Sequence, residues 1–192
     1  MRSEPTPEVT ARLQGAVERL LAGGTTYAEI GIDALVDEAG MAKSTFYVYF
    51  EDKDALLRTL AAQVIAALIA VEDAWWSLPP DASKDALRDA VTTMVDEYRG
   101  HGPLLAAVTE AAIYDPRMHE QFTAAVGGAS VAAAARLRQA GVADAERVAF
   151  WLTWMFERGL YLLLLPADAR RRKRRIAAFT EILWGVLHGG RG

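Results

Sequence analysis

IGIDALVDEAGMAKSTFYVYFEDKDALL, residues Ile30 to Leu57, is the stretch whose reading decides the fold. Ile32, Leu35, Val36 and Ala39 recur at i, i+3, i+4 and i+7, the apolar stripe of a short helix, and Gly40 follows where a left-handed C-terminal cap is wanted. After Met41 a second helix is expected. Its Phe46 and Phe50 lie four apart and point inward together, while Ser44, Thr45, Tyr47 and Val48 are turned outward. Two short helices joined by a tight turn form a helix-turn-helix, whose second helix suits the DNA major groove. There hydroxyl groups and a methyl-bearing side chain meet base edges and phosphates.

Asp52 then reads as the N-cap of a long third helix, with Lys53 in its first turn. The positive end of the helix dipole opposes a cation there. Either an outside anion such as a DNA phosphate compensates Lys53, or it is a solvated lysine beside Asp52 and Asp54.

The run Ala39-Gly40-Met41-Ala42-Lys43-Ser44-Thr45-Phe46-Tyr47-Val48-Tyr49-Phe50, followed by Lys53 and Ala55-Leu56-Leu57, resembles the signature of TetR-type transcriptional repressors. A weaker likeness points to the branch containing the repressor of the ethionamide-activating monooxygenase. The resemblance implies that Lys43, Ser44, Thr45, Tyr47, Tyr49 and Lys53 contact DNA, chiefly its backbone, with Val48 on the same outward face. It also implies that Phe46 and Phe50 are core. Two positions depart from the family pattern: Ala42 stands where a capping hydroxyl is usual, a loss of roughly 1 kcal/mol at a helix start, and Gly31 likewise replaces the hydroxyl before the preceding helix. Residues 1–60 also carry six Lys and Arg against ten Asp and Glu, so affinity for a polyanion has to come from locally placed cations.

Outward from this stretch the chain reads as helix throughout. Val9, Leu13, Ala16, Val17, Leu20 and Leu21 stripe a supporting first helix that ends at Gly23-Gly24. The third helix of the module continues from Lys53 to Trp75-Trp76, where Pro79-Pro80 follows, and is expected to be the only element shared by two domains. Further helices are expected over Ser83 to Arg99, Pro103 to Ala112, Asp115-Pro116 to Gln139 with a bend allowed at Gly127-Gly128, Ala145 to Leu165 capped by Asp144, and Asp168 to about His188. The expected fold is therefore all-α with about nine helices: a helix-turn-helix DNA-binding domain over residues 1–55 and a helical ligand-binding and dimerisation domain over 56–192.

The segment AERVAFWLTWMFERGLYLLLL, Ala145 to Leu165, is apolar almost all the way round, which a surface helix of a monomer is not. Packing against an identical helix, with Ile176, Phe179, Leu183 and Val186 of the last helix, gives a twofold homodimer; burial within one protomer is the other solution. Aromatic and thioether side chains crowd this half, and apolar cavities lined by such groups hold small molecules. The candidate ligand residues are Tyr98, Phe122, Thr153, Phe156, Glu157 and Trp184. Glu157, an acid in an apolar helix, is either ion-paired, for instance with Arg158 of a partner, or the polar end of the cavity.

The run Arg170 to Arg175 is the strongest charge feature in a chain of 192 residues and formal charge −4. It lies far in sequence from the recognition helix, and its six residues point in every direction, so a solvated, partner-pairing segment is favoured over DNA contact. His101, His119 and His188 have no metal-ligand spacing; cysteine is absent; no phosphate-cradling glycine loop and no Gly-x-Ser-x-Gly occurs. No enzyme, cofactor or metal is expected. With no signal-peptide pattern and no run of eighteen apolar residues, the expected place is the cytoplasm, with no membrane partner. The implied partners are double-stranded operator DNA, an apolar effector and a second copy of the chain. The implied function is a ligand-responsive repressor, and the alternative is a helical small-molecule-binding protein with weak or no specific DNA binding.

Overall fold

The computed structural model describes residues 3–76, 78–79, 81–164 and 167–189, without the side chains of 69–76, 163 and 164. Among the described residues there are nine α-helices, one 3₁₀ turn, one π-helical segment and no strand. By contacts the chain divides into two compact units, Met1–Val64 with His101–Glu120, and Ile65–Gly100 with Gln121–Gly192.

The first unit is built from α1 (Pro7–Ala22), a 3₁₀ turn (Tyr27–Glu29), α2 (Ile32–Glu38), α3 (Lys43–Tyr49), the start of α4 (Lys53–Trp76) and, from the middle of the chain, α6 (Gly102–Tyr114). Thr6 caps α1 by accepting from the Val9 N–H at 3.3 Å, with Pro7 just inside the start. Leu13, Ala16 and Val17 are fully buried, and α1 packs on both α2 and α6. The α2 stripe points inward as expected: Leu35, Val36 and Ala39 are buried and Ile32 half-buried. Gly40 takes φ 62, and the N–H groups of Gly40 and Met41 donate back to the carbonyls of Asp37 and Val36. This pair of bonds satisfies helix-end carbonyls, and the positive φ is what asks for glycine. Ala42 holds cap geometry for α3 with no side-chain bond, and Asp52 caps α4 through the Ala55 N–H at 2.7 Å.

The second unit contains α5 (Lys84–Gly100), most of α7 (Pro116–Gln139), α8 (Ala145–Gly159), the π-helical segment Leu160–Leu164 and α9 (Ala169–His188). Leu87, Val91 and Val95 of α5 pack with Leu160, Ile176 and Leu183. A second cluster joins Ala133, Ala134 and Leu137 of α7 to Ala145 and Ala149 of α8. Ser83, Asp115 and Asp168 cap α5, α7 and α9 as their positions predict.

Several expectations are corrected. The α-helix that starts at Ala145 stops at Gly159 and widens to a π turn over Leu160–Leu164, since the run LYLLL is compatible with either hydrogen-bond pattern; Leu165 and Pro166 lie outside the described residues. Asp144 does not cap it: the residue sits in the left-handed region at φ 51, makes no capping bond, and pairs with Arg147 at 2.8 Å. The helical ladder of α7 continues through Gly127 and Gly128, and α6 extends two residues further than expected, to Tyr114. Nor is α4 the only shared element, because α7 also contains a boundary between the units. By contacts, α6 and the first half of α4 fall in the unit of the helix-turn-helix.

Candidate nucleic-acid interface

α3 is held by its inward side chains. Phe46 and Phe50 are buried, their rings 5.5 Å apart, and the Tyr47 ring meets Phe46 edge-on at 5.5 Å. With that side anchored, Ser44, Tyr47 and Val48 are exposed, Tyr47 at 42% and Val48 at 48%, while Thr45 and Tyr49 are half-buried. An exposed valine beside an exposed tyrosine and serine is a surface of methyl, ring and hydroxyl groups. Seven residues of helix present it. The Ser3 N–H donates to the Val48 carbonyl at 3.3 Å, so the segment before α1 runs beside this helix.

The cations around α3 are engaged within the unit. Lys43 pairs with Asp33 at 2.7 Å, and Arg19 with Glu38 and its carbonyl. Arg12 donates to the Ala39 carbonyl through Nε at 3.2 Å and Nη2 at 2.8 Å, clasping the end of α2. Arg58 is paired with Asp115 at 2.5 Å. Lys53 goes furthest: its ammonium donates to the carbonyls of Tyr27, Ala28 and Ile30 at 3.0, 2.7 and 3.1 Å, and it lies 5.4 Å from the Tyr27 ring centre. In return the buried Tyr27 hydroxyl donates to the Lys53 carbonyl. Burial, then the charges of Asp54 and Asp52, push the Tyr27 hydroxyl well above its usual range, so it stays a donor. The dipole mismatch at the start of α4 is thereby resolved from inside the chain. Sequence reasoning missed Arg12 and Tyr27, whose partners stand 27 and 26 residues away respectively with no periodic signal to mark them.

Residues 19–60 match the family described as bacterial regulatory proteins, tetR family. The chain carries a TetR-family helix-turn-helix module. Over 82% of its length the chain is 28% identical to an HTH-type transcriptional regulator, EthR, of Mycolicibacterium smegmatis, covering 76% of that protein. A transcriptional regulator from Rhodococcus sp. Rha1 shares the fold with a TM-score of 0.74 at 16% identity, covering 94% of this chain and 96% of that one. A tetR-family regulator from Streptomyces coelicolor does so at 0.68 and 20%, covering 95% and 81%. The TetR-family module of this chain thus sits in an all-helical protein of the same overall fold.

The residues expected to bind a ligand fall in the second unit. Tyr98, Phe156 and Trp184 all pack against the cluster of Leu87, Val91 and Leu183. Tyr98 meets Phe156 edge-on at 6.3 Å, and Phe156 lies 4.9 Å from Phe179. Trp184 stacks on His188 at 3.8 Å. Phe122 is grouped differently, 6.5 Å from Trp154. Thr153 is half-buried. One oxygen of Glu157 is buried without a hydrogen-bond partner, and the Arg158 of the same chain comes only to 3.9 Å. Burial pushes this carboxyl up, against a smaller opposing effect of Arg158. Trp75 and Trp76 have side chains outside the described set. In the run Arg170 to Arg175, all but Arg172 are exposed, Arg171 pairs with Asp168 at 3.4 Å and Arg172 donates to the Ala167 carbonyl. Among the described residues no group of three His, Asp or Glu is placed to hold a metal ion, and no helix is long and apolar enough to cross a membrane.

Proposed function

We propose that the protein is a homodimeric, ligand-responsive transcriptional regulator of the cytoplasm, a repressor released from operator DNA by an apolar small molecule. The observation that carries this is α3: a helix locked by buried Phe46 and Phe50 that offers Ser44, Tyr47 and Val48 to solvent. On this reading Val48 and Thr45 meet base edges, while Lys43, Ser44, Tyr47 and Tyr49 meet phosphates and set register. Lys53 contributes by holding the 3₁₀ turn ahead of α2, and a phosphate contact would require it to release a carbonyl.

Pairing of two copies is supported by side chains that a monomer leaves in water. Phe150, Trp151 and Met155 of α8 are exposed, Trp151 at 71%, as is Ile182 of α9. On α9, Ala178, Ile182 and Gly185 are exposed at spacings of four and three, a stripe narrow enough for close helix packing. The effector site is assigned to Tyr98, Phe122, Thr153, Phe156, Glu157 and Trp184, with the unsatisfied Glu157 oxygen as its polar end. α4 and α7, which occur in both units, are the route by which a ligand that favours one arrangement shifts the other. Linkage makes the effect mutual: the factor by which ligand weakens operator binding is the factor by which operator weakens ligand binding.

A second reading, a helical small-molecule-binding protein with weak or no specific DNA binding, is favoured by one observation: Arg12, Arg19, Lys43, Lys53 and Arg58 are all engaged within their own unit. A gel shift with the DNA flanking the protein's own gene, in excess competitor DNA, separates the two. The regulator reading expects a complex that survives competition; loss of all retardation favours the second reading.

A further inference from the structure

The first unit contains a cavity of about 340 Å³ that neither the recognition helix nor the aromatic cluster of the second unit accounts for. Its apolar wall is Leu57, Ala107, Ala111 and Met118. Leu57 and Met118 are buried to the last few per cent, so the wall is rigid core rather than a movable rim. The volume suits a ligand of one aromatic ring and a few further heavy atoms.

The charges around it do not cancel. Lys53 lines the cavity, but its three N–H donors already serve the carbonyls of Tyr27, Ala28 and Ile30. Asp115 also lines it, and Arg58 neutralises it at 2.5 Å. Asp54 and Glu110 remain, both exposed, and no salt bridge or hydrogen bond engages either among the described residues. Tyr114 borders the same space with 80% of its surface in solvent, an aromatic face without a partner at the edge of an anionic, apolar-walled hollow. An anion would meet two uncompensated carboxylates, and a neutral ligand would leave them unused. A cation with an apolar body satisfies the carboxylates, the ring and the wall together.

We propose that this cavity is a second ligand site, selective for small amphiphilic organic cations. Its wall includes Tyr27, Ala28 and Lys53, the clasp that holds the turn ahead of α2, so an occupant touches the part of the module that orients the helix-turn-helix. The site does not depend on the regulator reading, because binding is measurable without DNA.

The test is calorimetric titration of the full chain with benzyltrimethylammonium, with sodium phenylacetate as the anion of similar size, followed by the amide resonances of Ala28, Lys53 and Ala111. The expected result is saturable binding of the cation at about 1 mM or tighter, no binding of the anion, and movement of those three resonances. Glu110→Gln and Tyr114→Ala, both on the exposed side of α6, should each weaken binding about threefold, and Glu157→Gln should leave it unchanged. No saturable binding overturns the proposal, as does equal binding of phenylacetate. Binding abolished by Glu157→Gln but not by Glu110→Gln would assign the cation to the other unit and overturn it equally.

Discussion

At Lys53 the ammonium serves three carbonyls of a turn more than twenty residues earlier, while Tyr47 is an exposed side chain of α3. The two residues therefore fail differently. Tyr47→Phe should weaken operator binding with no change in thermal stability, because it removes only a group assigned to a phosphate. Lys53→Ala should lower the unfolding free energy by about 2 kcal/mol, the scale of hydrogen bonds to a charged group, and weaken DNA binding as a consequence. Thermal melts beside affinity titrations check both; a Lys53→Ala protein of undiminished stability would return Lys53 to the phosphates. Glu157 offers a pH test. Its folded-state pKa lies above the ordinary 4.5, so as pH rises the unfolded chain ionises first and the native state loses stability between 4.5 and the folded value. Glu157→Gln should accordingly raise stability at pH 7, with the gain vanishing below pH 4.5. Denaturant unfolding at pH 4 and pH 7 measures it, and a variant less stable at neutral pH would point to an intermolecular ion pair instead.

Among the elements, α2 and α3 were legible because their determinants are local: a stripe at 3.6-residue spacing, a glycine at the C-terminal cap, and two phenylalanines four apart. The outward face of α3 followed from the same period. The links that brace the module were not legible, since Arg12 to Ala39 and Lys53 to Ala28 join positions 27 and 25 apart through turns whose geometry no period encodes. The end of α8 is hidden for a different reason: Gly159 is a stop signal, but the run LYLLL after it stays apolar and helical, and leucines and tyrosine tolerate both α and π hydrogen bonding. Ala42 yields an element-scale prediction. It already has the extended backbone of an N-cap, φ −72 and ψ 143, but has no side-chain acceptor for the first N–H groups of α3. Ala42→Ser should stabilise the protein by about 1 kcal/mol. Gly40→Ala, at φ 62, should cost about as much. Chemical denaturation of the two variants decides whether the turn is as tight as drawn.

For the whole molecule, the exposed apolar faces of α8 and α9 are the feature that a single chain does not explain. Sequence pattern pointed to a covered helix but not to its outer residues. Leu160 is 3% exposed within its own core, whereas Trp151 is 71% exposed. A charge at position 160 would therefore unfold the unit, and the interface is better tested at Trp151 and Ile182. The unmodified chain should sediment as a dimer, and the double variant Trp151→Glu, Ile182→Glu as a monomer with unchanged helical circular dichroism. A dimer that survives both charges would place the interface elsewhere.

The most direct test of the account is sedimentation velocity of the unmodified protein mixed with a fluorescent duplex from the DNA flanking its gene, in excess unlabelled competitor. Two TetR-family modules reading half-sites about 34 to 36 Å apart should give a discrete complex whose mass adds an even number of protomers, and Tyr47→Phe should shift it to higher protein concentration. Duplex that sediments as free DNA at every protein concentration, or a complex of one protomer, would contradict it.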